Sequence, residues 1–302
     1  MTSILSICIA SYANDLSDLL RELKTCEDHG LSEGWALEIC ISDQGPRVHA
    51  LQEYWEKEFG VRYFQYTEKL GRAANRNHLA SQAKGTHLLF LDADALPTVP
   101  AFLFRYTEAL RTCKVVVGGT AYLPGHLSER LRYKIGKVKE EVLPEVRNKN
   151  PWGAFSAFNF AIEAELLKHI TFDESLVEYG HEDTLFGLEL RHRCIEVCHV
   201  FNPAYHLGID EDVAFMEKTR RGVDNLAALI ELGKIDEEVT LYKAYLNAQK
   251  TGIIGLLKWN VSWLEPWLFN RLALGKGPLF LFDLYKLLRL SKGITSTPRK
   301  NF

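Results

Sequence analysis

Short, almost wholly apolar runs alternate with amphipathic ones through roughly the first 120 residues. SILSICIASY reads as a strand, and the following DLSDLLRELKTC repeats its apolar positions at helical spacing. ALEICISD and VRYFQYT read as further strands, with the helical HALQEYWEKEF between them. RAANRNHLASQAKG reads as a helix that stops at Gly85, and HLLFLDAD as the most buried strand. PAFLFRYTEALR and the β-branched VVVGGT continue the alternation. This βαβα order predicts a parallel sheet covered by helices, with ligands beyond the carboxyl ends of the strands. Ser11, Asp43 and Asp92 each fall just after such an end.

Residues 121–150 carry dense charge without a sheet pattern and read as a mobile loop or helical excursion. Order returns with PWGAFSAFNFAI, the helical EAELLKHI, the turn TFDES and a helix beginning near Glu182; IEVCHVF then reads as a half-buried strand. Beyond about residue 250 the chain changes character. Trp259, Trp263 and Trp267 recur every fourth position, and LFLFDLYKLLRLSK sets Asp283, Lys286 and Arg289 three apart on an apolar helix. Such helices either pack on the catalytic domain or on another subunit, or lie in the plane of an anionic membrane surface. No uncharged apolar run reaches the roughly 20 residues that cross a bilayer.

Charge sharpens that choice. The 302-residue chain has a formal net charge of -3, yet residues 250–302 hold nine Lys or Arg against Glu265 and Asp283, leaving +7 there and -10 elsewhere. This balance argues against nucleic-acid binding and for a local anionic partner of the tail. The six cysteines are scattered in apolar runs and suggest no disulfide framework, and the CxxxC of Cys194 and Cys198 is poorly spaced for zinc. The opening residues lack the basic and small-residue features of a signal peptide, so a cytoplasmic protein is expected, peripheral on the inner membrane face if the tail binds lipid.

Three constellations carry candidate chemistry. Asp92 and Asp94 stand two apart, so on an extended backbone they point to one side with only Ala93 between them. Two close carboxylates call for a cation, and Mg2+ or Mn2+ commonly binds through one or two carboxylates plus substrate phosphates. In GHEDTLF, Glu182 and Asp183 open a helix; acidic residues there suit the helix dipole, but the dense polar turn of Gly180, His181, Glu182 and Asp183 also suits a carboxylate meeting a sugar hydroxyl as general base. His206, a candidate to complete the metal site, is the third; a lone histidine also has a purely structural reading.

Together, ICIASY, CISDQG, GRAANRNHLASQAKGTHLLFLDAD, FSAFNFAI followed by FDES, and GHEDTLFGLEL resemble an inverting family 2 glycosyltransferase, over about residues 3 to 210. GHEDT is similar to the acceptor-side motif of galactosyltransferase-like and chondroitin-polymerase-like members. The resemblance implies an α/β GT-A fold, a Rossmann-like mixed sheet flanked by helices, spanning residues 1–212, with a helical C-terminal region at 213–302. It implies a nucleotide-diphosphate sugar donor, with UDP-sugar expected, a glycan or lipid-linked saccharide acceptor, and Mn2+ or Mg2+. Ser11 and Tyr12 would line the nucleotide pocket, Asp43 would meet the base or ribose, and Arg72 or Arg76 the nucleotide. Asp92 would take the ribose or metal, Asp94 the metal, and His206 would be a further metal ligand. Asp183 would be the catalytic base and Glu182 an acceptor contact, with Trp152, Gly153 and His181 on the acceptor side. Gln44 and Pro46 depart from the family's usual second acid and serine, and Ala95 replaces a third acid found in many members. A nucleotidyl- or phosphoryl-transfer enzyme using the same Asp pair, and a non-catalytic nucleotide-sugar binder, are the alternative classes.

Overall fold

Strand β1 (Ser3–Ser11) has Leu5, Ile7, Cys8 and Ile9 fully buried, because neighbours cover it on both faces. The structure is a computed structural model that describes residues 2–46, 49–66, 71–176 and 180–294, with the backbone path alone at 49, 50, 253 and 256–260. After β1 come α1 (Ser17–His29), β2 (Trp35–Asp43), α2 (His49–Phe59), β3 (Arg62–Gln65), α3 (Gly71–Gln82), β4 (His87–Asp92), β5 (Ala95–Pro97) and α4 (Phe102–Ala109). They continue with β6 (Val115–Val117), β7 (Thr120–Ala121), α5 (Leu131–Lys139), α6 (Pro144–Arg147) and β8 (Asn159–Glu163). The last are α7 (Glu182–His192), β9 (Cys198–His199), β10 (Ala204–His206), α8 (Asp212–Glu231), α9 (Thr240–Lys250), α10 (Ile253–Ala273) and α11 (Phe280–Gly293).

The chain forms two compact units. The first comprises Met1–Leu123, Glu140–Ser175 and Phe186–Gly208; the second comprises Pro124–Lys139, Leu176–Leu185 and Ile209–Phe302. Residues 124–139 and 176–185, which the sequence reading assigns to the catalytic domain, thus cluster with the C-terminal helices.

In the first unit a seven-stranded sheet runs β3-β2-β1-β4-β8-β6-β9, parallel except for β8, and a small sheet runs β5-β10-β7. HLLFL is apolar at every position because both faces of β4 are core. Leu89 and Leu91 join Leu19, Leu23, Phe102 and Tyr106 on one side. Leu88 and Phe90 join Leu79, Phe160, Phe172 and Phe186 on the other. The expected strand over IEVCHVF shrinks to Cys198–His199, whose partner β6 is itself only three residues long. The expectation of no disulfide is corrected: Cys113, just before β6, is bonded to Cys198 on β9. Both sit in apolar sequence, and only the sheet pairing brings them together.

At the end of β6 the buried Arg147 donates to the carbonyls of Val117, Gly118 and Val200 and to His199 Nδ1, the last at 2.9 Å. His199 Nε2–H donates to Pro151 O at 2.8 Å, so the ring is neutral and Nδ1 is the acceptor. Burial pushes its pKa down to about 4, and the Arg147 charge adds to the effect.

In the second unit, α5, α8, α10 and α11 share a core that includes Leu131, Met216, Leu268, Leu272, Phe282 and Leu288. The polar stripe of α11 is used internally. Asp283 pairs with Lys139 and, at 3.4 Å, with Lys286; Arg289 grips both carboxylate oxygens of Asp224 at 2.6 and 2.7 Å. Glu265, buried within α10, faces Arg289 at 3.5 Å and Lys292 at 3.7 Å. Among the described residues no helix is long and apolar enough to cross a membrane.

His199 gives the fold a pH dependence. Its folded pKa lies below the unfolded value near 6.5, so its contribution is complete above that pH and is lost as the pH falls toward 4. Urea denaturation should therefore show unfolding free energy dropping by about 2 kcal/mol between pH 7 and 5 from this residue. His199→Gln should flatten the profile; an unchanged slope would contradict the assignment.

Candidate active site

Strand register alone brings three sequence candidates to one edge of the sheet. Parallel pairing sets Ser11 beside Asp43 and Ala10 beside Asp92. Asp43 is buried and heavily engaged. Its Oδ1 accepts from the backbone N–H of Ala13 at 2.9 Å and of Gly45 at 2.8 Å, and its Oδ2 accepts from the hydroxyls of Tyr63 at 3.1 Å and Ser11 at 3.5 Å. The carboxylate thereby fastens the loops after β1 and β2. They meet so closely that a Cβ at Gly45 would stand 2.4 Å from Ala13 N, and Ala13 adopts a left-handed φ of 54°. Tyr12, beside this junction, is exposed.

The two aspartates after HLLFL separate in role. Buried Arg76 on α3 reaches Asp92 Oδ1 at 2.7 Å, and its guanidinium lies 5.5 Å from the centre of the Phe172 ring. Asp94 instead meets β10. Antiparallel pairing sets His206 opposite Ala95, Leu207 N–H donates to Asp94 O at 2.9 Å, and Asp94 Oδ2 stands 3.7 Å from His206 Nε2. Burial pushes the Asp94 pKa up; His206 and Arg72 pull it down and Asp92 adds to the rise. Arg72, on the exposed side of α3, is thus within electrostatic reach of Asp94. Gly208, which sequence reasoning passed over, makes the space: a Cβ there would come 2.0 Å from Asp94 Oδ2. Its only sequence signal is a small residue two positions after His206.

Among the described residues no three His, Cys, Asp or Glu side chains come together to hold a metal ion. The pair does fit two ligands of one ion. With metal–ligand bonds of about 2.0–2.2 Å, a carboxylate oxygen and an imidazole nitrogen 3.7 Å apart can share it. The other ligands would be diphosphate oxygens and water, a common arrangement for Mg2+. Asp92, with Arg76 on one oxygen, is placed beside this pair.

The GHEDT turn belongs to the second unit. Glu182 is buried and Asp183 half-buried in the first turn of α7, where the helix dipole favours negative charge. Both nitrogens of His181 are committed: Nε2 meets Gly222 O at 3.0 Å, which requires N–H there, and Nδ1 accepts from Thr184 Oγ1 at 3.2 Å. Burial lowers the pKa of this ring, in keeping with the neutral form. Asn225 Nδ2 donates to Gly180 O at 2.8 Å. His181, at a left-handed φ of 74°, thus clips the turn onto α8.

Trp152 and Gly153 sit in the first unit. The indole N–H of Trp152 donates to Ile195 O at 2.8 Å, and Trp152 lines a cavity of about 690 Å3 with Arg191, Cys194 and Glu196. Gly153 is exposed and capped by Asn150.

A family model described as Glycosyl transferase family 2 matches residues 6–171, more than half of the chain, and the chain belongs to that family. Its seven-stranded mixed sheet flanked by helices is a GT-A glycosyltransferase fold. Among solved structures, it is similar to residues 1–349 of S. aureus TarS, with TM-score 0.52 and 18% identity over 97% of this chain and 90% of that one. It is also similar to the mannosyltransferase PcManGT from Pyrobaculum calidifontis in complex with GDP-Man and Mn2+, with TM-score 0.59 and 15% identity over 98% and 88% of the two chains. TarS has also been solved with UDP and with UDP-GlcNAc. At these identities the likeness is one of fold. No curated protein matches.

Gly208→Ala probes the cradle without touching a charged group. It should weaken Mn2+-dependent binding of a nucleoside diphosphate by at least about tenfold, while the fold survives an overpacking cost of about 1–3 kcal/mol. Calorimetric titration showing unchanged affinity would place Asp94 outside the binding site.

Proposed function

We propose that the protein is an inverting, divalent-cation-dependent glycosyltransferase that moves a sugar from a nucleotide-diphosphate donor, a UDP-sugar, to a hydroxyl of a glycan or lipid-linked saccharide. The observation that carries this reading is the Asp94–His206 pair, cradled by Gly208 at the tip of β4, beside an Asp92 already held by Arg76. The TarS complexes with UDP and UDP-GlcNAc and the PcManGT complex with GDP-Man and Mn2+ support a nucleotide-sugar donor and a divalent ion.

Each residue has a distinct task. Ser11, Tyr12 and the Asp43-fastened loops form the nucleotide side, with Asp43 acting on the base through the loops it fixes as well as by any free lone pair. Asp92, oriented by Arg76, accepts a hydrogen bond from the ribose, and Arg72 faces the phosphates. Asp94 and His206 would hold Mn2+ or Mg2+, which when bound supplies Lewis-acid stabilisation of the departing diphosphate. Asp183 takes the proton from the acceptor hydroxyl as its oxygen attacks the anomeric carbon. The bond from that carbon to the diphosphate oxygen breaks on the opposite face, and its electron pair leaves with the nucleoside diphosphate. One displacement inverts the configuration.

The family match ends before GHEDT, so the role of Asp183 rests on its position in the first turn of α7 and on the motif's resemblance. His181 acts in this scheme as a positioning residue for that turn. Two substitutions separate donor binding from transfer. Asp94→Ala should lose both cation-stimulated transfer and tight UDP binding. Asp183→Asn should keep UDP binding and lose about 100-fold or more in turnover, the usual worth of a general base. Near-wild-type transfer by Asp183→Asn would remove it from the base role. Nucleotide release without sugar transfer in every acceptor tested would favour a phosphoryl-transfer enzyme.

A further inference from the structure

We infer that the outer face of α10, together with the turn into α11, is a docking surface for an anionic lipid bilayer. Four large apolar side chains stand out from this hairpin: Trp263 is 60% exposed, Trp267 48%, Leu274 68% and Phe280 64%. At 100° per residue, Trp263, Trp267, Arg271 and Leu274 fall within one stripe of the helix, opposite the buried Glu265 and Leu272. Isolated exposed apolar residues are ordinary on any surface, but two indoles, a leucine and a phenylalanine on one hairpin are not.

The charges select the occupant. Arg271 stacks on Trp267, its guanidinium 5.4 Å from the ring centre, and Lys276 is exposed in the turn. No Asp or Glu occurs between Pro266 and Phe282, and the single acid of α10, Glu265, points inward at Arg289 and Lys292. An apolar face flanked only by cations suits a bilayer interface, where indoles sit at headgroup depth and Arg or Lys meets anionic lipid. A second copy of this chain fits worse, because two-fold pairing of the face would set its cations against one another. The turn is built for protrusion: Gly275 and Gly277, at φ of 67° and 110°, let the chain reverse tightly between Leu274 and Phe280.

This surface differs from the one the sequence pattern suggests. Asp283, Lys286 and Arg289 are taken up by partners within the unit, so α11 contributes only its first residue, Phe280. The side chain of Trp259 lies outside the described residues. Truncation at residue 253 would strip Leu268, Leu272 and Phe282 from the core, so point substitutions are the fair test.

The full chain should float with phosphatidylcholine vesicles containing phosphatidylglycerol, bind plain phosphatidylcholine more weakly, and be released by high salt. Trp263→Ser with Trp267→Ser should cut partitioning by about tenfold or more at an unchanged melting temperature, and Arg271→Glu with Lys276→Glu should remove the preference for the anionic vesicle. Brominated lipid should also quench tryptophan emission of the unmodified protein, a readout that needs no variant. Absence of flotation and quenching, or flotation indifferent to both substitution pairs, would overturn the proposal. So would a concentration-dependent dimer dissolved by the tryptophan substitutions, which would make the face a self-interface. None of these readouts depends on the transfer reaction.

Discussion

A buried guanidinium must have a carboxylate, and in this protein that requirement divides the two aspartates at the tip of β4. Arg76, with its side chain only 5% exposed, holds Asp92 at 2.7 Å. Removing either partner would strand a charge in a place where an uncompensated one is costly. Asp94 is left to look the other way, toward His206, with Gly208 keeping the approach open. Identical residues two positions apart thereby acquire different chemistry. One is a fixed hydrogen-bond acceptor, and the other half of a cation site.

The sheet makes this division possible. Parallel register carries Ser11, Asp43 and Asp92 to the same edge, and the short antiparallel pairing of β5 with β10 delivers His206 from more than a hundred residues away. Loops at such an edge need stiffening. Asp43 provides it by accepting from two backbone amides and two hydroxyls, so its first contribution is to hold the loop geometry that any nucleotide would meet. On the other unit, His181 does comparable work by pinning the GHEDT turn to α8 through both ring nitrogens.

Much of the central sheet is readable from sequence because period and burial agree there. HLLFL is apolar throughout since both faces are core, and DLLRELKTC repeats at helical spacing since one face is. The paired aspartates also announce themselves by following so apolar a strand. What sequence cannot convey is which polar groups find each other across the fold. Nothing local distinguishes Asp43 as a loop clamp, His181 as a clip, or Cys113 and Cys198 as a bonded pair. The cations of α11 look lipid-facing in a helical projection because their partners, Lys139, Asp224 and Glu265, lie on other elements. Periodicity locates a polar stripe without saying whether water, lipid or protein meets it.

The sharpest single test looks at the cation directly. Electron spin-echo envelope modulation of Mn2+ bound in the presence of UDP reports nitrogen ligands to the ion. Coordination by the Asp94–His206 pair requires a single imidazole coupling that disappears in His206→Gln. A spectrum without nitrogen coupling, or one that His206→Gln leaves unchanged, would contradict the division of labour between the two aspartates.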